Sequence, residues 1–248
     1  TQLINTPLEL PQGPAYARNI GLRKATGSYV SFLDADDYYL PDRFVKMLDK
    51  FEEDPMLDGV YDNLWSFDAA SGSRLTDFDL LVDRGIHPDD LLERILLDEK
   101  NFVCILCMLL KRDSIVGLEM DVGLRQCEDN DFLYELAYRK RLCHSGELES
   151  KVHRNMPASN ISHNYRQVIE SKYYLHKKWL QKSIDYKLNH KIIAYFFKNE
   201  LHYKIRFQGK QTHLFLFILY SALGFWLQPK SIIPLILNAS KLRNMPIG

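Results

Sequence analysis

Three carboxylates within four positions, Asp34, Asp36 and Asp37, form the densest chemical feature of the sequence. They follow residues 29–33, a short and mostly apolar run that predicts a buried β-strand. Carboxylates this close repel one another, and the carboxyl ends of strands are where α/β sheets bind ligands. Oxygen ligands of this kind suit Mg²⁺ or Mn²⁺, with substrate phosphates completing the coordination. The pattern therefore predicts a divalent cation at this strand end.

An acidic cluster can also be a helix cap, a calcium-binding loop or the nucleophile of a phosphatase. An Asp before a helix is a common N-cap, and Asp42 could serve that role, but a cap needs one Asp rather than three. An EF-hand beginning at Asp34 would need Gly and Glu where this chain has Tyr39 and Val45. A phosphoaspartyl phosphatase also begins with a strand ending in Asp-x-Asp. It would carry Thr or Val at position 38, where Tyr38 stands, and it remains a weaker alternative.

The elements around this cluster alternate between helix and strand. Residues 14–25 predict a helix with Pro at its start and Ala17, Ile20, Gly21 and Ala25 on one face. A second helix opens at position 41, stops before Pro55 and places Phe44, Val45, Leu48 and Phe51 on its core side. Further segments predict strands near 59–61 and at 102–110, and helices at 88–97 and 128–141. This rhythm is typical of an α/β domain with parallel strands.

Charge divides the chain into two parts. Residues 1–150 hold 16 Lys and Arg against 29 Asp and Glu, whereas residues 151–248 hold 16 against 3. We interpret the acidic part as suited to metal or sugar chemistry and the basic part as facing phosphates or an anionic membrane; mutual attraction of the two parts is the simpler alternative. Cys104 and Cys107 lie in an apolar run without a second Cys/His pair, so we interpret them as buried and reduced.

Several motifs in order resemble the family 2 inverting glycosyltransferases of the GT-A fold. Residues 17–22 (ARNIGL) and 25–37 (ATGSYVSFLDADD) are similar to the central block of that family. Residues 127–133 (CEDNDFL) resemble its second acidic motif, and His153-Arg154 with Ser159 and Ser162 resembles the basic-and-serine stretch that follows. The resemblance covers about residues 12–165. It implies an α/β, Rossmann-like fold with a mostly parallel sheet flanked by helices.

The resemblance also implies roles for the first acidic motif and its surroundings. Asp36 and Asp37 would hold the metal and the donor ribose or diphosphate, with Asp34 in support. Arg18 and Asn19 would lie beside the nucleotide. His153, as a metal ligand, or Arg154, as a donor ligand, would approach the diphosphate. The implied donor is a nucleotide-sugar, with UDP-sugars favoured, and the implied acceptor is a glycan or a lipid-linked glycan.

The second acidic motif would supply the base. By resemblance Asp129, beside Glu128 in the catalytic pair, takes a proton from the acceptor hydroxyl. A helix N-terminus favours the ionised form that a base needs. Ordinary acidity at a helix start accounts for Glu128 and Asp129 equally well when they are taken alone. Their partnership with Asp36 and Asp37 favours catalysis.

Two departures from the family pattern temper the catalytic interpretation. The family's first nucleotide-binding strands lie upstream of Thr1, so we expect this chain to be N-terminally truncated. Glu135 stands where the family commonly carries Arg. The competing hypothesis is a non-catalytic remnant or a binding module that keeps the acidic loop.

The last third is predicted to be a basic helical extension. We divide the chain into a catalytic domain at 1–165 and a partly amphipathic tail at 166–248. Residues 214–227 are uncharged but too short to span a bilayer with confidence, whereas residues 186–207 mix Lys and Arg with apolar bulk. We therefore expect a cytoplasmic protein, peripheral on an anionic inner membrane face, that serves envelope or extracellular polysaccharide synthesis and binds no nucleic acid.

Overall fold

The computed structural model describes residues 13–68, 71–73, 90–97, 103–146, 152–156 and 165–208. The chain divides into two compact units, residues 1–163 and residues 164–248. The first unit contains all of the described strands, and the second contains two long helices among its described residues.

The first unit alternates helices and strands, as the sequence predicts. Its helices are α1 (Pro14–Lys24), α2 (Arg43–Glu53), α3 (Leu91–Leu97) and α4 (Glu128–Arg139). Its strands are β1 (Tyr29–Val30), β2 (Tyr38–Tyr39), β3 (Gly59–Tyr61), β4 (Leu64–Asp68), β5 (Met108–Lys111), β6 (Leu142–His144) and β7 (Val152–Met156). Short 3-10 turns flank β5 at Ile105–Cys107 and Arg112–Ile115.

Helix boundaries follow from local chemistry. Pro14 occupies the first turn of α1, where its missing N–H costs no hydrogen bond. Helix α2 ends at Glu53, and Asp54 turns to an extended backbone because the residue before Pro55 is driven out of the helical region.

The main sheet has the strand order β1-β5-β3-β6. Strand β5 runs antiparallel to both β1 and β3, whereas β3 and β6 are parallel. The predicted α/β arrangement of a sheet flanked by helices is confirmed, but the described sheet is mixed rather than mostly parallel. The apolar run that predicts a buried strand at 102–110 carries no information on direction, because both faces are covered in either orientation.

A second sheet of order β2-β7-β4 lies beside the acidic cluster in sequence. Strand β2 begins directly after Asp37 and pairs antiparallel with β7, with Tyr38 opposite His153. Strand β4 pairs with β7 in parallel, with Ser66 opposite Arg154. The basic stretch therefore joins the acidic segment through backbone pairing, a connection that residue patterns did not predict.

The inner face of α2 differs from the predicted one. Met47 and Phe51 are buried against Leu57, Val60 and Leu109, and Phe44 packs partly against that cluster. Val45 and Leu48, which the helical period placed inward, are exposed. In α1 the buried residues are Ala15 and Asn19, and the predicted Ala17 and Gly21 face solvent. In both helices a buried polar side chain, Arg43 or Asn19, shifts the inward face away from the apolar stripe.

Helix α4 matches its predicted core face. The four residues expected to point inward are all buried: Phe132, Leu133, Leu136 and Ala137. The Phe132 ring packs edge-on against Phe32, which follows β1. This contact anchors the start of α4 to the segment that carries the acidic cluster.

The second unit pairs α5 (Tyr165–Asp185) with α6 (His190–Gln208). Its centre is aromatic: Trp179 stacks on Phe196, and His176 stacks on Tyr203. Burial lowers the pKa of His176 to about 4, so the ring is neutral at physiological pH. Among the helices that the structure describes, none is long and apolar enough to cross a membrane. The predicted apolar segment 214–227 lies outside the described residues.

Gly59, at the start of β3, marks the tightest approach in the main sheet. A Cβ atom there would lie 2.6 Å from Leu110 Cδ2, 2.7 Å from Leu142 Cδ2 and 3.3 Å from the Leu109 carbonyl oxygen. Gly59→Ala is therefore expected to destabilise the first unit by about 1–3 kcal/mol through overpacking. Thermal unfolding followed by circular dichroism measures this.

The matched control is Gly21→Ala. Gly21 lies in α1 with nothing within 4 Å of an added Cβ, so this change should leave stability unchanged or raise it by about 0.5–1 kcal/mol. Equal melting temperatures for the two variants would contradict the close approach at Gly59.

Candidate active site

The acidic cluster lies on a short segment between β1 and β2. Asp37 is buried, Asp36 is exposed and Asp34 is half-buried. The Asp37 backbone N–H donates to the Asp34 carbonyl at 3.1 Å and closes a turn between the two carboxylates. The segment thus presents one carboxylate to solvent and holds its neighbour against the protein.

Arg18 joins this cluster to the second acidic motif. Its guanidinium donates to Asp34 Oδ1 at 2.7 Å and to Glu128 Oε1 at 2.9 Å. The three side chains are 17%, 34% and 8% exposed, so water screens the Glu128 contact least. Two motifs that lie far apart in sequence therefore meet at a single cation.

The start of α4 shapes the second motif. Cys127 precedes the helix with a left-handed backbone, φ 64°, which is uncommon for a residue with a side chain. Asp129 is half-buried, and its Oδ1 accepts a hydrogen bond from the Asn130 N–H at 2.8 Å. This contact fixes the Asp129 side chain at the start of the helix.

Electrostatics at the site follow from burial and from these contacts. Burial raises the pKa of Glu128 above its usual value and the Asp129 charge adds to the effect, while Arg18 opposes both. Burial also works against the Arg18 charge, yet the carboxylates of Asp34, Glu128 and Asp129 raise its pKa overall. Arg18 therefore remains a cation that all three carboxylates share.

The side chain of Asn19 is buried and hydrogen-bonded to the backbone of Met120. Its side-chain amide donates to the Met120 carbonyl and accepts from the Met120 N–H, both at 2.8 Å, and the residue is 2% exposed. The pair of bonds fixes α1 to the segment before α4 and so sets the position of Arg18. A place for Asn19 beside a nucleotide stays a prediction.

The remaining predicted residues are placed less directly. The strand register sets His153 opposite Tyr38, one position after Asp37, and sets Arg154 one residue further along β7. Glu135, the departure from the family pattern, forms a helical ion pair with Arg139 at 2.7 Å. Glu135 therefore has a local structural partner in α4.

The residues present fit a divalent cation through their chemistry. Across the parts of the chain that the structure describes, no three His, Cys, Asp or Glu side chains form a metal-binding group. Mg²⁺, however, is often bound by one or two carboxylates together with substrate phosphates. The adjacent carboxylates of Asp36 and Asp37 supply oxygen donors of that kind.

Sequence reasoning missed a buried ion pair beneath the acidic segment. Arg43 Nε donates to Asp62 Oδ2 at 2.9 Å, and both side chains are only 1% exposed. The helical period did not predict this pair, because a charged residue such as Arg43 at the first position of a helix is expected to be exposed to solvent. Its partner follows β3, and only the fold brings the two together.

A family model matches the part of the chain that carries the first acidic motif. Residues 6–116 match the model described as glycosyl transferase family 2. This segment is similar to glycosyl transferase family 2. The match includes Arg18 and the whole first acidic motif, and it confirms the family to which the sequence motifs were compared.

Curated relatives are described as glycosyltransferases. A glycosyltransferase of Haemophilus influenzae with no characterised activity is 30% identical over 129 residues, which are 52% of this chain and 42% of that protein. An equally uncharacterised glycosyltransferase of Rickettsia felis is 45% identical over 42 residues, which are 17% of this chain and 7% of that protein. The chain thus spans less than half the length of these curated relatives.

Solved structures support the fold. The crystal structure of S. aureus TarS residues 1–349 aligns with a TM-score of 0.52 at 16% identity, covering 78% of this chain and 53% of that one. A second S. aureus TarS structure aligns with a TM-score of 0.51 at 15% identity, covering 76% and 31%. The predicted GT-A-like fold is confirmed.

The shared Arg18 cation leads to a test by titration. In Arg18→Met the pKa of Glu128 should rise further, because burial and the Asp129 charge remain while the opposing cation is gone. Carboxyl ¹³C NMR titration of Glu128 measures the change.

The control for this titration is Arg23→Met. Arg23 lies on the same helix but pairs with Glu119, and both side chains are half exposed. Its loss should leave the Glu128 titration unchanged. A Glu128 pKa that stays the same in Arg18→Met would show that the bridge has no electrostatic effect.

Proposed function

We propose that this chain carries the catalytic carboxylates of a metal-dependent, inverting glycosyltransferase. The enzyme transfers a sugar from a nucleotide-sugar to a hydroxyl acceptor. The observation that carries the proposal is the Arg18 bridge, which brings Asp34, in the segment that matches family 2, and Glu128, which follows that segment, to one cation. A strand-end cation site and a helix-start base thereby become parts of one site.

Asp129 is the general base in this proposal. Its carboxylate takes the proton of the acceptor hydroxyl as the acceptor oxygen forms a bond to the anomeric carbon. The bond from that carbon to the diphosphate oxygen breaks in the same displacement, so the configuration inverts. Glu128 does not share the role, because its carboxylate is buried and bonded to Arg18. It acts as a positioning residue for that cation.

Asp36 and Asp37 would hold the divalent cation, Mg²⁺ or Mn²⁺, and His153, whose backbone pairs with that of Tyr38, is proposed as a further ligand. When bound, the cation offsets the charge that develops on the leaving diphosphate. Arg18, with Asp34, borders the same region and contributes a fixed positive charge beside it. Arg154 follows His153 on β7 and is proposed to approach the diphosphate.

The similarity to family 2 supports a nucleotide-sugar donor, and we place UDP-sugars first among the donors to be assayed. The proposed acceptor is a glycan or a lipid-linked glycan in envelope or extracellular polysaccharide synthesis. Assays use the full-length gene product, with other nucleoside diphosphate sugars as comparison donors. Turnover with a non-UDP donor alone would overturn the donor assignment and leave the reaction class intact.

Two substitutions should separate the base from the cation site. Asp129→Asn is expected to lower the transfer rate about 10²- to 10⁴-fold, the usual contribution of a general base, while Mn²⁺ affinity is kept. Asp37→Asn is expected to weaken Mn²⁺ binding, because a buried oxygen ligand loses its charge. Radiolabelled sugar transfer and Mn²⁺ electron paramagnetic resonance measure the two effects.

Asp113→Asn is the control, because Asp113 is an exposed carboxylate paired with Arg112 and is not part of the site. Unchanged transfer in Asp129→Asn would reject the base assignment. Mn²⁺ binding without transfer or donor hydrolysis in the unmodified full-length protein would instead favour a non-catalytic binding module.

We further propose that the second unit attaches the enzyme peripherally to the anionic inner face of the cytoplasmic membrane. Helix α6 carries Lys191, Lys198 and Arg206 at exposed positions, with His202 between the last two. Burial lowers the pKa of His202, and Arg206, Lys198 and Lys172 lower it further, so these cations lie close together. Such a basic stripe favours anionic headgroups.

The membrane proposal predicts charge-dependent binding to vesicles. Changing Lys191, Lys198 and Arg206 to Gln should weaken binding to phosphatidylglycerol vesicles about a hundredfold, since each cation near such a surface contributes about 1 kcal/mol. Phosphatidylcholine vesicles should bind neither protein. The control changes Arg23, Lys46 and Lys50 to Gln in the first unit, with the same loss of charge. Equal weakening in both triple variants would contradict a docking face on α6.

A further inference from the structure

The acidic segment is held at both of its ends by one buried network. Ser31 stands three residues before Asp34, and Tyr39 stands two residues after Asp37. Arg43 Nη1 donates to Ser31 Oγ at 3.1 Å, and the Arg43 guanidinium carbon lies 4.0 Å from the centre of the Tyr39 ring. One cation therefore touches the residues that flank all three carboxylates.

The two ends are also bonded to each other. The Tyr39 hydroxyl donates to the Phe32 carbonyl, and its oxygen lies 3.1 Å from Ser31 Oγ. Ser31 Oγ in turn donates to the Met108 carbonyl on β5 at 2.7 Å. The loop between β1 and β2 is thus closed at its base by the Ser31 and Tyr39 side chains and fixed to the main sheet.

Arg43 itself is fixed by the core. Its guanidinium bonds Asp62, which follows β3, and donates to the Leu106 carbonyl at 2.9 Å. A buried ion pair with additional hydrogen bonds is rigid, because any displacement leaves a charge without compensation at low dielectric. The network therefore holds the acidic loop at a fixed position relative to the main sheet.

We infer that Arg43 is a positioning residue for the acidic loop, acting through Ser31 and Tyr39 to set the separation of Asp36 and Asp37 from the sheet. The inference rests on the proposed function in one respect: the loop that the network holds is taken to be the binding site for the cation and the diphosphate. Its structural content, that the network holds the loop closed, is independent of that function.

The test removes single hydroxyl groups, because loss of Arg43 would leave Asp62 buried without its cation and could unfold the protein. Tyr39→Phe keeps the ring on Arg43 and deletes the hydroxyl that bonds Phe32 and Ser31. The Asp37 amide, which is bonded to the Asp34 carbonyl within the loop, reports loop opening by hydrogen exchange. We expect its exchange to become about tenfold faster, and Mn²⁺ affinity to fall by a similar factor.

A second variant pair provides rescue. Ser31→Ala removes the hydroxyl that accepts from Arg43 and should also speed exchange at Asp37, whereas Ser31→Thr keeps a hydroxyl and should restore protection. Tyr29→Phe is the control, because Tyr29 lies on β1 with its ring on Phe51, away from the network. Amides of α6 should exchange alike in every variant.

The outcomes distinguish this inference from the proposed function. Unchanged Asp37 exchange in Tyr39→Phe and Ser31→Ala overturns the positioning role, whatever the metal affinity. Faster exchange together with weaker Mn²⁺ binding supports both. Faster exchange in a protein whose unmodified form binds no Mn²⁺ supports the positioning role and rejects the cation site.

Discussion

Repulsion between carboxylates is the constraint on which the site depends. The first acidic motif places three carboxylates within four positions, and the start of α4 adds Glu128 and Asp129 to the same region. Arg18 is the cation through which this concentration of charge is tolerated, since it bonds one carboxylate of each motif and all three nearby acids raise its pKa. A site compensated by one cation retains surplus negative charge, which is the condition under which a divalent ion binds.

The fold places a further cation deeper in the protein. Arg43 is buried under the acidic loop and neutralised by Asp62, so it contributes rigidity rather than attraction for a ligand. Strand β7, which carries His153 and Arg154 in sequence, joins the segment after the acidic cluster through the Tyr38–His153 backbone pair. The two arginines therefore have different effects. Arg18 contributes its positive charge to the carboxylates of the site, whereas the charge of Arg43 is compensated by Asp62 in the core and stabilises the loop.

Residue patterns in the sequence predicted the elements correctly where the apolar residues follow a single helical repeat or where the acidic residues are adjacent. The four inward residues of α4 follow the helical repeat, and the acidic motif itself was visible as a cluster. In α2 the helical period placed Phe44 and Phe51 correctly and was wrong for Val45 and Leu48. Asn19 and Arg43 are buried polar residues whose partners, Met120 and Asp62, are distant in sequence. No periodicity encodes such a partner. The direction of β5 was hidden for a similar reason, since a strand buried on both faces looks the same in either orientation.

For the same reason, the sequence alone could not show that the two acidic motifs lie close together in the structure. Taken alone, Glu128 and Asp129 are ordinary acidity at a helix start, and a sequence argument could only pair them with Asp34 by resemblance. The Asn19 clamp on Met120 fixes α1 beside the segment that leads into α4, so Arg18, one residue earlier, is brought to both motifs together. A polar contact with no chemical role of its own thus determines which carboxylates share a cation. Glu128 is bonded to Arg18, and for this reason we propose Asp129, which is half-buried at the same helix start, as the base.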